Sequence, residues 1–135
     1  SLLFSAGSWA EWTEVGEQAS GTNSFVDNNG KKRTYTNAGS KKYLDFDKIR
    51  KHDGYVSFWI LTDRLEPDLL GTKSSKSYIV VDCQAFRSMY LHVIAYKQPM
   101  GEGDSWHEIK EDKPFWDSPL PNTAWETTLN RVCGL

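Results

Sequence analysis

The alternation of hydrophobic and polar positions predicts strands over most of the chain. Residues 55–63 (YVSFWILTD), 76–83 (KSYIVVDC) and 86–97 (FRSMYLHVIAYK) are rich in β-branched and aromatic side chains, which are enriched in strands. The short connection between the second and third of these segments leaves room only for a tight hairpin, so we expect them to pair antiparallel. The shorter elements predicted are strands at 11–16 and 43–46 and one helical turn at 47–51.

Two polar segments interrupt this pattern. Residues 17–42 are rich in Gly and Asn, and they contain FVDNNGKKRTYT, which resembles a hairpin with Asn29 and Gly30 in its turn, because both residues tolerate positive φ. We interpret the segment as an inserted surface ribbon or loop, with a disordered loop as the alternative. Residues 98–121 are rich in turn formers and are expected to run over the surface, with one short strand near Trp106.

The C-terminal residues have the pattern of a helix. Thr123 and Glu126 have the spacing of a capping box, and Gly134 can end the helix in a left-handed conformation. An apolar stripe follows the helical period and must pack on the sheet. Its members are Trp125, Leu129, Val132 and Cys133.

Length and composition limit the class of protein. A chain of 135 residues with 39% hydrophobic and 13% aromatic residues is long enough for one domain with one core. The net charge of −2 gives no basic field that could hold a phosphate backbone, which disfavours binding to nucleic acid. No segment is apolar over the roughly 18 residues of a membrane span, so none is predicted.

The first ten residues have features of the end of a signal peptide. SLLFSAGSWA is apolar and uncharged, and Ser8 and Ala10 have the small-x-small spacing of a signal-peptidase site just before Glu11. Residues 1–10 are therefore predicted to be a signal-peptide remnant, and residues 11–135 the mature domain; an ordinary N-terminal strand is the alternative. No cysteine stands at the cleavage site, so no lipid anchor is expected there.

The two cysteines are predicted to form a disulfide. Cys83 and Cys133 are 50 positions apart, and in an exported chain two cysteines most often pair. The alternatives are a catalytic pair of Cys83 with His92 and a zinc site, for which the cysteines and histidines have no recognisable spacing. A bridge would hold the helix against the strand face that carries Ile79, Val81 and Cys83.

The two-residue period of strands divides the remaining side chains between two faces. Met89, Leu91, Val93 and Ala95 are expected on the helix side of their strand. The opposite face is expected to carry a mixed aromatic set, which is our candidate binding or dimer face and would be covered by residues 98–121 or by a partner. Its members are Tyr78, Tyr90, His92 and Tyr96.

Residues spread from Trp12 to Cys133 follow the order and spacing of a known family. They are Trp12; Tyr43, Leu44, Asp45 and Ile49; Gly54, Val56, Trp59 and Asp63; Ser75, Lys76, Asp82 and Cys83; Arg87 and Tyr96; Met100, Gly101 and Gly103; and Glu126 with Cys133. In this set the chain resembles the bacterial surface-adhesin E family. Two features depart from the family pattern: the insert at 17–42 is longer, and the cysteine of a lipid-anchored adhesin is missing.

The resemblance implies both a fold and a location. The implied fold is α+β: a single antiparallel sheet of about six strands with a C-terminal helix packed on one face. The family name implies adhesion to host macromolecules, and a dimer is compatible with it. Without the lipid anchor, the expected location is the periplasm of a Gram-negative bacterium or the medium around it.

Three functions remain open. The first is a non-enzymatic binding module for a protein or glycan ligand, the second is a structural homodimer of the envelope, and the third is an enzyme with a carboxylate or metal site. The acids that could serve an enzyme are Asp45, Asp47, Glu102, Asp104 and Glu108, although Asp47 could instead cap the predicted helical turn. Because no nucleophile or phosphate-loop motif is present, we predict no catalytic residue, no cofactor and no metal site.

Overall fold

The computed structural model describes residues 11–134, and its main element is an antiparallel sheet with one helix. The predicted signal-peptide remnant at 1–10 lies outside the described residues. The predicted α+β class is confirmed. The described elements are β1 (Thr13–Gln18), β2 (Gly21–Val26), β3 (Lys32–Asn37), β4 (Ser40–Leu44), β5 (Arg50–His52), β6 (Tyr55–Arg64), β7 (Ser74–Asp82), β8 (Arg87–Tyr96), β9 (Ser105–Lys110) and α1 (Ala124–Cys133).

Seven of these strands form the main sheet. Its order is β1-β4-β6-β7-β8-β9, and β5 pairs with β6 beyond the end of β4. The long central strands β6 and β7 pair from Tyr55 opposite Asp82 to Asp63 opposite Ser74. The predicted hairpin between β7 and β8 is confirmed by their antiparallel register. The sheet thus centres on the most apolar segments of the sequence, which can be buried on both faces.

The strands β2 and β3 form a separate two-stranded ribbon inserted between β1 and β4. Asp27 organises its turn, since its Oδ1 accepts hydrogen bonds from the N–H groups of Asn29 and Lys31, each at 2.9 Å. Gly30 has φ +77°, which explains the glycine in this turn. Hydrogen bonds from Arg33, Lys31 and Asn29 hold the pKa of the Asp27 carboxyl below its usual value.

One face of the sheet carries the hydrophobic core, and α1 covers it. Leu129 and Val132 of the helix are fully buried against this face. The two-residue period brings alternate side chains of three strands to the same side. The buried strand residues of this core are Leu44, Val56, Phe58, Ile60, Ile79 and Val81.

The ends of α1 differ in part from the sequence prediction. The Thr123 hydroxyl accepts a hydrogen bond from the Glu126 N–H at 3.2 Å, as the capping box predicts. The Glu126 carboxylate reaches back one residue further than expected and accepts from the Asn122 N–H at 3.0 Å. The left-handed ending predicted at Gly134 is wrong: its φ is −85° and its ψ is −4°. The last turn therefore stays right-handed, and the Gly134 N–H donates to the Asn130 carbonyl.

A disulfide joins the last residue of α1 to the turn after β7. Cys83 and Cys133 form this bond, with their Cα atoms 5.6 Å apart. Both residues pack on the edge of the hydrophobic core. The bond therefore attaches the helix to the face that carries Ile79 and Val81, as the sequence analysis expects.

A bulge in β8 changes the expected faces of that strand. Ile79 lies opposite Tyr90, but the next residue back, Tyr78, lies opposite His92, so Leu91 is an extra residue in the pairing. Successive side chains along a strand normally point to opposite faces of the sheet. An extra residue in a bulge shifts this alternation by one position, so side chains on the far side of the bulge point to the face opposite to the one expected. The prediction that Tyr90 shares a face with His92 is therefore wrong. Tyr90 lies on the helix side, with its ring 6.2 Å from that of Trp125.

The bulge also moves Met89 in the opposite direction. Met89 lies opposite Val80, on the face away from α1, whereas Val93 lies opposite Ser77, on the helix side. The expectation that Met89 joins the helix side is wrong for the same reason.

Within the described residues, no helix has the length and apolar character that crossing a membrane requires.

Candidate functional site

Three aromatic side chains form a row across the middle of the face away from α1. Trp59 of β6 lies opposite Tyr78 of β7, which lies opposite His92 of β8. The Trp59 ring is 5.2 Å from the Tyr78 ring and 5.4 Å from the His92 ring, measured between centroids. All three side chains are half-buried. The register of three neighbouring strands thus builds a continuous aromatic surface.

A groove opens beside this row. It has a volume of about 310 Å³, at the lower end of the range of small-molecule sites. We call it the aromatic groove. Its lining residues are Trp12, Asp45, Lys48, Trp59, Lys76, Ile94 and Tyr96.

The Lys76 side chain lies between two aromatic rings of the groove. Its Nζ is 5.2 Å from the centre of the Tyr96 ring and 6.0 Å from the centre of the Trp12 ring. A cation at this distance from an aromatic face is attracted by the ring quadrupole. Among the described residues, no carboxylate forms an ion pair with Lys76. The Lys76 ammonium group thus makes cation–π contacts with two rings, and its charge remains available to an anionic group.

Asp45 lies in the same groove, but its oxygens already have partners. The carboxylate accepts from the Asp47 N–H and from the Glu11 N–H, each at 3.1 Å. Asp45 is buried and caps the 3₁₀ turn at Phe46–Lys48. The prediction that Asp47 caps this turn is wrong. Asp47 only donates its backbone N–H to the Asp45 carboxylate, and its own side chain is exposed.

A tight turn at Pro99–Gly101 packs beside the Lys76 side chain. The Gly101 N–H donates to Ser74 Oγ at 2.8 Å, and the Met100 N–H donates to Asp63 Oδ1 at 2.9 Å. Gly101 has φ +64°, and a methyl group on it would lie only 2.6 Å from Lys76 Cε. The absence of a side chain at Gly101 therefore gives Lys76 the space to cross the turn and reach the two rings.

Tyr96 in the groove and His92 in the neighbouring row both lie near the Glu108 carboxylate. The phenol of Tyr96 is buried, and burial together with the nearby Glu108 carboxylate raises its pKa, so it stays neutral and can donate a hydrogen bond. His92 Nε2 lies 2.5 Å from Glu108 Oε1. This pairing fixes the His92 ring against Trp59.

Residues 98–121 cover this face only at its two ends. The Pro99–Gly101 turn packs over Leu61 and Lys76 at one end. At the other end, Trp116 stacks 6.2 Å from the Tyr55 ring, and the Arg87 guanidinium lies 4.7 Å from the Trp116 ring centre. The described residues leave the middle of the face half-exposed, and that is where the aromatic groove opens.

The acids proposed for an enzyme are dispersed. Glu102 and Asp104 are exposed in a loop, Glu108 pairs with His92, and Asp45 is occupied as a cap. Among residues 11–134, no group of three or more His, Cys, Asp or Glu side chains is arranged to hold a metal ion. The catalytic alternative of Cys83 with His92 is contradicted, because Cys83 is bonded to Cys133.

The structure brings together Tyr78, His92 and Tyr96 of the predicted face and separates Tyr90 from them. It adds Trp59 and Lys76, which sequence reasoning left out of the site. A pattern pointed to Trp59: Phe58 and Ile60 belong to the core face, so Trp59 between them must lie on the other face. Nothing comparable pointed to Trp12, because its approach to Lys76 depends on the pairing of β1 with β4 at the edge of the sheet.

Comparison with known proteins agrees with the resemblance seen in the sequence. No curated protein and no solved structure shows significant similarity to the chain. Residues 30–134 match the family model described as Surface-adhesin protein E. This segment spans β3 to α1 and includes the Pro99–Gly101 turn and both cysteines. The chain therefore belongs to the Surface-adhesin protein E family.

Proposed function

We propose that this protein is an exported, non-enzymatic binding domain that contacts a protein or glycan ligand through the aromatic groove. The observation that carries the proposal is the Lys76 ammonium, which lies between the Trp12 and Tyr96 rings without a carboxylate partner among the described residues. Trp and Tyr are enriched among the residues that contribute most to binding energy, and the groove presents the half-buried ring of Trp59.

The family supports a surface role for this groove. Members are described as surface adhesins, and an adhesin acts by binding. The disulfide fits an oxidising compartment, and we propose the periplasm or the cell exterior. The half-buried Trp59 ring offers flat apolar area to a ligand, while Lys76 offers one positive charge.

The experiment is a binding screen with variants matched in charge and size. The labelled protein is applied to a glycan array and to a panel of purified extracellular and periplasmic proteins. Trp59→Leu and Lys76→Gln are expected to weaken binding to any hit by about tenfold or more, as for interface hot spots. Lys51→Gln is the control for charge and should bind as the parent does, because Lys51 is exposed on β5 and lies opposite Val56, on the helix side of the sheet.

Two outcomes contradict the proposal. Saturable binding that is unchanged in both groove variants would place the ligand elsewhere, and the absence of any saturable binding would remove the function. Sedimentation of the same samples tests the homodimer alternative. A dimer that Trp59→Leu dissociates would show that a second copy of the chain occupies the groove, instead of a ligand.

A further inference from the structure

A second cavity lies on the helix side of the sheet, whereas the aromatic groove lies on the opposite face. Its volume is about 510 Å³, and it opens between the end of β1, the first turn of α1 and residues 117–120. Five of the twelve described residues that line it are apolar. The apolar lining residues are Ala19, Pro119, Leu120, Ala124 and Trp125.

Among the described residues that line this cavity, Lys42 is the one basic residue. Lys42 is half-buried, and its Nζ donates to Thr62 Oγ1 at 3.0 Å. Among the described residues it forms no ion pair with a carboxylate. Burial, and then repulsion from Arg64, lower the pKa of Lys42. The fold therefore holds an amine in a place where its charge is not neutralised.

A second cation increases the local positive charge. Lys42 lies opposite Thr62, and Arg64 lies two residues further along the same face of β6. The Arg64 Nε is buried and has no hydrogen-bond acceptor among the described residues, and its ion-pair partner, Asp68 Oδ2, is 3.9 Å away. Arg64 lines a neighbouring cavity that shares Gln18 with this one, so it adds positive charge near Lys42 without lining the same cavity. A buried donor without an acceptor is unfavourable unless a ligand or water supplies one.

The acids around the cavity restrict the ligand further. Glu17 and Asp117 also line it, and both are exposed at its rim. Their two charges repel a doubly charged phosphate ester more strongly than a ligand with a single carboxylate. The first turn of α1, with Thr123 and Ala124 in the lining, adds partial positive charge from the helix dipole.

We infer that this cavity binds a small apolar monocarboxylate, with the carboxylate on Lys42 and the hydrocarbon part along Pro119, Leu120 and Trp125. The charge of the ligand matches the unpaired amine, and its tail matches the apolar wall. This site is independent of the ligand of the aromatic groove, because the two cavities share no lining residue.

The test is an NMR titration of the labelled protein with octanoate, kept below its micellar concentration. We expect saturable shifts at the Trp125 indole and at the backbone of residues 118–120. Butanoate, hexanoate and octanoate should bind with increasing affinity, by roughly threefold to fourfold per added methylene while the cavity has space. Octanol, which has the tail without the charge, should bind about tenfold more weakly than octanoate.

Neighbouring lysines on one strand provide matched variants. Lys42→Met should weaken octanoate binding by about tenfold and leave octanol binding nearly unchanged. Lys41→Met, on the opposite face of β4, should bind octanoate as the parent does. The inference is overturned if octanoate gives no saturable shift, if chain length has no effect, or if Lys42→Met binds octanoate as tightly as Lys41→Met. A peptide ending in Leu that binds better than octanoate would also overturn it, by assigning the site to a chain terminus.

Discussion

The Lys76 ammonium nitrogen lies 5.2 Å from the centre of the Tyr96 ring. Lys76 and Tyr96 come from neighbouring strands, and the Trp12 ring approaches the same nitrogen from the edge of the sheet. The position of Lys76 depends on Gly101, since a side chain there would occupy the space through which Lys76 passes. Binding at the aromatic groove should therefore respond to changes in the turn as well as to changes in the rings.

The first prediction compares two glycines that share a conformation but differ in their surroundings. Gly101 and Gly54 have φ of +64° and +85°, and a methyl group would clash with Lys76 Cε at Gly101 but meet nothing within 4 Å at Gly54. Gly101→Ala and Gly54→Ala should each lose about 1–2 kcal/mol from the left-handed conformation. Only Gly101→Ala should also lose ligand at the aromatic groove.

Chemical denaturation gives the stability of both glycine variants, and the binding screen gives their affinity for the ligand found. Equal affinity of Gly101→Ala and Gly54→Ala for that ligand would show that the position of Lys76 does not matter for binding.

The second prediction concerns the disulfide. Cys133→Ser, or reduction of the parent, should lower the free energy of unfolding, by up to about 4 kcal/mol in the chain-entropy model for a loop of this length. The helix should loosen first, because Leu129 and Val132 are buried through its attachment to the sheet. Thermal unfolding with and without reductant measures the effect.

The double variant Cys83→Ser/Cys133→Ser is the control for the disulfide. It should unfold like the reduced parent and be insensitive to reductant. A parent whose melting temperature is the same with and without reductant would contradict the stabilising role of the bond.

The third prediction tests the start of α1. Thr123→Ala removes the acceptor of the Glu126 N–H and should cost about 1 kcal/mol. Thr127→Ala is the matched control, because Thr127 is exposed inside the helix, where alanine has the higher helix propensity. Urea unfolding of both variants should show a loss only for Thr123→Ala. Equal stability of the two would mean that the cap contributes nothing.

Local patterns in the sequence predicted the parts of the fold that depend on local interactions. The helix from Thr123 was predictable because its cap and its apolar stripe lie within one segment, and the β7–β8 hairpin because few residues connect its strands. The disulfide was expected from the number of cysteines and the compartment. These features need no knowledge of distant contacts.

The parts that were wrong or missing depend on distant contacts. The bulge at Leu91 has no residue pattern of its own, yet it moves Tyr90 and Met89 to the faces opposite to those expected. A prediction from the two-residue period assumes that no extra residue interrupts the strand. The assigned faces are therefore wrong on one side of the bulge and right on the other. Trp12 approaches Lys76 across strands that are far apart in the sequence, and only the sheet order reveals it.

The last prediction follows from the unpaired Lys42. Its pKa is lowered in the folded state by burial and by Arg64, so between that pKa and the unfolded value of about 10.4 the unfolded state binds more protons. The free energy of unfolding should therefore rise with pH in this window through Lys42. Lys42→Met removes the desolvation cost of a half-buried charge, so the variant should be more stable than the parent at pH 7.

The stability gain of Lys42→Met should shrink as pH rises above the lowered folded-state pKa of Lys42, because the folded parent then holds a neutral amine. Urea unfolding at pH 7, 8.5 and 9.5 measures this trend. Lys41→Met changes the neighbouring lysine on the opposite face of β4, and it should differ from the parent by less than about 0.5 kcal/mol throughout. A Lys42→Met variant that is less stable than the parent at pH 7 would mean that the hydrogen bond to Thr62 outweighs the burial of the charge. A gain that does not depend on pH would show that packing, and not the charge, explains it.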